Sequence, residues 1–255
     1  MPVKRVQFES QTPGSEPITL AGILDLPADE PRATAVFAHC FTCTKDIKAI
    51  ARISRYLSGL GIAVLRFDFR GLGGSKGVFA DSNFMTNLDD IRAAVKFLSH
   101  EIAAPELLIG HSLGGAAMMA TAPEFETARA LVTLAAPSDT THLVQTLLRL
   151  NPAIKTDGHG DVVIGGMTHH VKQQMLDALE SFDLPSRIKQ LSLPHLIFHS
   201  LIDETVAVEH AHNLLQWTGG PKLLVTPGES DHLFINNPAD VKMIAEFINT
   251  WYSGL

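Results

Sequence analysis

An α/β fold built on a parallel sheet is predicted by three features of the sequence. Short, continuously apolar runs alternate with amphipathic stretches along most of the chain. Those runs lack the in–out alternation of a strand with one wet face, so helices must cover both sides of the sheet. The chemically capable residues His39, Asp68, Ser112, Asp139, Asp203 and His232 fall at or near the carboxyl ends of the runs, where ligands of open parallel sheets bind.

The elements follow in order. Thr19–Asp25 and Ala33–Ala38 read as strands, the second ending at His39. Residues 47–60 place Ile47, Ile50, Ile53, Tyr56 and Leu57 at helical spacing, with Gly59 and Gly61 at the end. Ile62–Phe67 is the next strand, and Asn87–Leu98 is an amphipathic helix with Leu88, Ile91, Ala94, Val95 and Leu98 on one face. Glu106–Gly110 is a buried strand running into His111-Ser112-Leu113-Gly114-Gly115 and an Ala-rich helix. Ala130–Ala135, His195–His199 and Lys222–Thr226 complete the strands, and Val208–Trp217 and Ala239–Trp251 are helices. From Pro137 to about Leu193 the alternation fails over a stretch too long for a simple loop. It holds an amphipathic piece (Thr141–Leu150), a hairpin-like piece (Asp161–Thr168) and a second helical piece (Val171–Leu179). The reading is one domain over residues 1–255 with 137–193 as an inserted cap above the strand ends.

Composition narrows the function classes. The 255 residues are 45% hydrophobic, enough for one large core. A net charge of −7 without Lys/Arg blocks argues against nucleic acid and anionic membrane partners. The N-terminus has no apolar core of a secretory signal, and no run approaches the roughly 20 apolar residues of a membrane helix, so a cytoplasmic location is expected. The two cysteines, Cys40 and Cys43, cannot complete a zinc site. Their spacing allows a redox pair, but two small residues packed at a strand end is the preferred reading. Asp68-Phe-Arg-Gly-Leu-Gly-Gly-Ser75 is glycine-rich but lacks the Lys-Ser/Thr of a phosphate loop, and reads as a tight turn.

Gly110-His-Ser112-Leu-Gly114 matches the nucleophile elbow. The serine of an elbow sits on a strained strand-to-helix turn, where a side chain two residues to either side would collide, so glycine is needed at both places. The pattern alone is weak. An apolar strand before it and an Ala-rich helix after it are the confirming context. This fold orders its catalytic residues Ser, acid, His. His232 lies after the last strand, where the base belongs, and Asp203 lies after the preceding strand as the acid. Asp139, after the Ala130–Ala135 strand, is the main rival. Glu204 would point elsewhere, and Asp231 is too close to His232 to bridge to its Nδ1 easily. The expected oxyanion donors are the backbone N–H groups of Leu113 and Phe41.

Four blocks, Ala38-His-Cys-Phe-Thr-Cys-Thr-Lys-Asp46, Arg66–Ser75, Gly110–Gly115 and Ser230-Asp-His232, occur in that order. Together they resemble the serine α/β-hydrolases of the carboxylesterase and cinnamoyl (feruloyl) esterase group. The resemblance covers essentially the whole chain and is closest to the hydrolase half of bacterial proteins that fuse this fold to an OsmC-like domain. It implies a mostly parallel eight-stranded sheet, hydrolysis of a small-molecule ester, and no metal or cofactor. It also implies the triad Ser112, Asp203 and His232, with Phe41 and Leu113 at the oxyanion. Cys40 departs from the glycine most relatives carry after the first-block histidine, and no second domain is expected before Leu255. Feruloyl esterase, thioesterase and amidase activities use the same elbow and remain alternatives. A non-catalytic binding module is a further one, disfavoured because all three triad members are present.

Overall fold

The computed structural model describes residues 2–228 and 230–255. Eight strands form the main sheet: β1 (Val3–Ser10), β2 (Ile18–Asp25), β3 (Ala33–Ala38), β4 (Ile62–Phe67), β5 (Leu107–His111), β6 (Ala130–Leu134) and, beyond a separate hairpin β7 (His159–Ile164) and β8 (Met167–Lys172), β9 (His195–Phe198) and β10 (Lys222–Val225). Their spatial order is β1-β2-β4-β3-β5-β6-β9-β10. The β1–β2 and β2–β4 pairs are antiparallel and the rest parallel. This is the α/β-hydrolase fold, mostly parallel as expected.

Every residue of β3, β4, β5, β6 and β9 is buried, which is why those runs carry no polar alternation. Helices α1 (Lys48–Gly59) and α9 (Pro238–Ser253) cover one face, with Ile50, Ile53, Leu57, Ile244 and Ile248 packed on Phe37, Val64 and Ile109. Helices α2 (Phe84–Glu101) and α3 (Leu113–Thr121) belong to the apolar core of the other, through Leu88, Ile91 and Met118. Truncating a fully buried residue such as Ile53 to alanine removes both its transfer free energy and its packing, at a cost of about 2–5 kcal/mol.

The first strand, β1, is absent from the sequence expectations. From Arg5 onward its burial alternates, with Val6, Phe8 and Ser10 inward and Arg5, Gln7 and Glu9 outward, so it has no apolar run to betray it. Helix α2 starts three residues earlier than expected, because Asn83 and Thr86 cap it reciprocally.

Residues 137–193 hold α4 (Thr141–Leu150), α5 (Ala153–Thr156), the hairpin, α6 (Gln173–Ser181) and α7 (Leu184–Lys189). Helix α8 (Glu209–Trp217) follows β9. The hairpin pairs Ile164 with Met167 across Gly165 and Gly166, both at positive φ (59° and 79°), as a two-residue turn of this kind requires. Val162, Val171, Leu147 and Met175 of this segment belong to the same apolar cluster as the α2/α3 face of the sheet. Among the described residues, no helix is long and apolar enough to cross a membrane.

Candidate active site

Strand β5 ends at His111, and Ser112 alone separates it from α3. Ser112 has φ 53° and ψ −124°, a left-handed conformation that costs a non-glycine residue about 1–3 kcal/mol. The turn is held from both sides: the Ser112 N–H donates to the Leu134 carbonyl (2.9 Å), and the Ser112 carbonyl accepts from the N–H of Gly115 (2.8 Å). The glycines are sterically required. A Cβ on Gly110 would lie 2.5 Å from the Gly114 carbonyl oxygen, and one on Gly114 would lie 2.3 Å from the His39 carbonyl oxygen. The start of α3 faces the serine, and its dipole favours negative charge there.

The loop after β10 brings His232 to this serine. The Ser112 hydroxyl donates to His232 Nε2 at 3.0 Å. On the other side of the ring, His232 Nδ1–H donates to Asp203 Oδ2 at 2.8 Å. Asp203 Oδ1 accepts the N–H groups of Thr205 (2.8 Å) and Val206 (2.9 Å). Burial pushes the Asp203 carboxyl up, but the hydrogen bond and charge of His232 and the two backbone donors outweigh it and hold the group below the ordinary carboxylate value. The three residues singled out in the sequence thus form one hydrogen-bonded chain.

The rivals stand elsewhere. Asp139 Oδ1 accepts the N–H of His142 (3.0 Å) at the start of α4, and its Oδ2 lies 3.6 Å from His210. Asp231 accepts the N–H of Ile235 (2.8 Å), and Glu204 is exposed.

The β3–α1 loop carries the other expected donor. His39 is buried, and its Nε2 accepts the Phe69 N–H (3.1 Å), so its proton sits on Nδ1 and donates to the Cys40 carbonyl (2.8 Å). That carbonyl also accepts the Cys43 N–H (3.1 Å). Cys40 C=O and Phe41 N–H belong to one peptide group, so anchoring the oxygen fixes the direction of the N–H. Among the described residues, neither Phe41 N–H nor Leu113 N–H has a backbone acceptor, and both residues border the cavity with Ser112. Further along, Asp68 Oδ1 accepts the Lys45 N–H (2.7 Å), and its Oδ2 accepts from Lys45 Nζ (2.7 Å) and Gly74 N–H (2.8 Å). The glycine-rich block therefore wraps a buried carboxylate that holds the loop, in keeping with its reading as a turn. Cys40 and Cys43 differ from the preferred expectation: they are joined as a disulfide, because the turn brings their Cα atoms to 5.2 Å.

Residues 29–156, half of the chain, match the family described as serine aminopeptidase, S33. The chain belongs to that hydrolase family. The esterase domain of a Rhodothermus marinus protein is 42% identical to this S33-family hydrolase, with a TM-score of 0.78 over 98% of both chains. Est1E from Butyrivibrio proteoclasticus, solved with ferulic acid bound, shares the fold at 22% identity and a TM-score of 0.79, over 96% of this chain and 98% of its own. The Escherichia coli O157:H7 protein YfhR is 26% identical over 213 residues, 81% of this chain. The hydrolase spans 65% of YfhR, just under two thirds of that curated relative's length.

In this S33-family hydrolase, Ser112 and His232 open into a cavity of about 560 Å³. Its walls are mostly apolar, with Leu143, Leu150, Val163, Ile164 and Met167 supplied by the 137–193 segment. His142 and Thr146 of α4 are polar exceptions. Burial pushes the His142 imidazole below its ordinary value. Among the described residues, no cluster of His, Cys, Asp or Glu could hold a metal ion.

Two site residues escaped the sequence reading. His111 Nε2–H donates to the His232 carbonyl (2.8 Å), tying the loop of His232 to the strand that leads into Ser112. His199 Nε2–H donates to the Val206 carbonyl (2.7 Å), beneath Asp203. His111 occupies a free position of the elbow pattern, where only proximity in space could reveal it. His199 directly follows β9, four residues before Asp203, and that position after a strand end is its one visible signal.

Proposed function

We propose that this hydrolase is a serine carboxylesterase acting on small esters through an acyl-enzyme, with Ser112 as nucleophile, His232 as general base and Asp203 as its orienting acid. The observation that carries the reading is the imidazole of His232, hydrogen-bonded at one nitrogen to Ser112 and at the other to Asp203. His232 takes the hydroxyl proton as Ser112 Oγ attacks the ester carbonyl carbon. Asp203 fixes the tautomer and stabilises the imidazolium. The carbonyl oxygen becomes an oxyanion between the N–H groups of Phe41 and Leu113, which among the described residues have no competing backbone acceptor. Collapse of the tetrahedral intermediate breaks the C–O bond, and the imidazolium protonates the leaving alkoxide. Water, activated by the same imidazole, then releases the acid and regenerates Ser112.

The segment 137–193 acts as a cap that gives the cavity its apolar wall, which suits an acyl group of modest size. Hydrolysis of p-nitrophenyl butyrate tests the reading. Ser112→Ala is expected to lower kcat by about 10⁴-fold or more, and a variant keeping most of its rate would refute the assignment. A feruloyl ester is the second reading, favoured by the fold shared with ferulic-acid-bound Est1E and by His142 and Thr146 on a mostly apolar wall. Turnover of methyl ferulate well above that of p-nitrophenyl butyrate would select it.

A further inference from the structure

The segment Cys40-Phe41-Thr42-Cys43 is cross-linked across Phe41, whose N–H is one of the two proposed oxyanion donors. All four residues border the cavity that contains Ser112. Thr42 has φ 59°, a left-handed conformation that β-branched residues avoid, and it is buried. Such a backbone persists only where its surroundings over-determine it. In this turn the restraints are the disulfide, the Cys43 N–H to Cys40 carbonyl bond, and the His39 bond to the same carbonyl. The first is chemically reversible. Cys43 is half-buried on the cavity side and Cys40 is buried, so an incoming thiol meets Cys43.

We propose that the Cys40–Cys43 pair positions the Phe41 N–H for the oxyanion and that its redox state sets the turnover of the hydrolase. The proposal rests on the esterase reading above. A dithiol reductant supplies the two electrons. Its thiolate forms a bond to Cys43 Sγ and Cys40 leaves as the thiolate. Its second thiolate then attacks the sulfur bound to Cys43, releasing that cysteine and closing the reductant into a cyclic disulfide. Protonation leaves two cysteine thiols. Without the cross-link, Thr42 relaxes toward negative φ, and the Phe41 peptide turns away from the position of the developing charge. Leu113 N–H, at the start of a buried helix, stays in place. Substrate binding is little affected because the apolar wall does not move; the loss falls on the transition state.

The test uses the full chain, oxidised or reduced with dithiothreitol, the state checked by the mass gain of two hydrogens. On p-nitrophenyl butyrate, reduction is expected to lower kcat about tenfold, less than the complete loss of an oxyanion donor, with KM nearly unchanged. Reoxidation with oxidised glutathione restores it. An alkyl boronic acid, which forms a tetrahedral anion on the serine, should lose affinity in step with kcat, whereas inhibition by the product butyrate should not move. The double variant Cys40→Ser/Cys43→Ser should match the reduced protein and ignore the reductant. An unchanged kcat in protein verified as reduced overturns the proposal. So does a joint loss of kcat, product binding and thermal stability, which would mark a merely structural cross-link. If the double variant fails to fold, the reversible titration of the wild type decides alone. Oxidised protein without any esterase activity would instead remove the esterase reading itself.

Discussion

The two proposed oxyanion donors, Leu113 and Phe41, are held in different ways. Leu113 N–H is fixed by main chain: a strand, a glycine-packed turn and the first turn of a buried helix. Phe41 N–H is fixed by side chains and a cross-link: His39, the Asp68–Lys45 contacts and the Cys40–Cys43 bond. Each site contains a non-glycine residue at positive φ, Ser112 and Thr42. The elbow's strain is enforced by packing that only unfolding removes. The loop's strain is enforced partly by groups that protonation, reduction or a single substitution can take away. Rigidity shared between backbone and side chains therefore leaves one donor exposed to control and the other not.

Acid should break both regions at once, with the largest effect. Burial holds the His39 imidazole down to about 4 and those of His111 and His195 to about 3, against an ordinary value near 6.5. Between those values the unfolded chain binds protons that the folded chain refuses, so stability is complete above pH 6.5 and falls as the pH drops toward 3–4. Each group contributes up to about 1.4 kcal/mol per pH unit within its window. Asp203, held below its ordinary value, adds a loss in the same direction at lower pH. Thermal unfolding followed from pH 7 to 4 should show a steep fall in Tm, and a flat profile would mean these imidazoles are not buried neutral.

Gly114→Ala strikes the contact between the regions, because its Cβ would press on the carbonyl oxygens of His39 and Ala38. Both donors shift, and kcat for p-nitrophenyl butyrate should fall about 10²–10³-fold. His39→Ala acts on the loop alone. It leaves the Phe69 N–H without its acceptor and the Cys40 carbonyl without one of its two donors, costing about 1–3 kcal/mol of stability and about tenfold in kcat. Equal kcat losses in the two variants would erase the distinction drawn between the donors. The smallest effect belongs to His142→Ala on the cavity wall. It should raise KM for methyl ferulate a few-fold, in line with the loss of one hydrogen bond, and leave p-nitrophenyl butyrate unaffected.

The same contrast governs what could be read before the fold was known. The elbow was legible because its requirements are local: an apolar strand, glycines flanking Ser112 and a helix-forming run. Asp203 and His232, which the structure brings into hydrogen-bonded contact with each other and with Ser112, are legible through chain order in this fold, since each follows a strand whose apolar run is plain. Strand β1 was hidden by its one-sided burial. His39 and His111 were not legible as positioning groups, since each acts on a backbone carbonyl, at Cys40 and His232, whose place depends on the folded loop. The disulfide is not decided by sequence, because a Cys-x-x-Cys pair carries no sign of whether its turn brings the sulfurs together.

Labelling with a fluorophosphonate, followed by peptide mass spectrometry, tests the central claim most directly. The hydrogen-bonded chain from Asp203 through His232 should make Ser112 the labelled residue in the wild-type protein, with labelling slowed by orders of magnitude in His232→Ala. A label on another side chain, or undiminished labelling of Ser112 once the imidazole is gone, would contradict it.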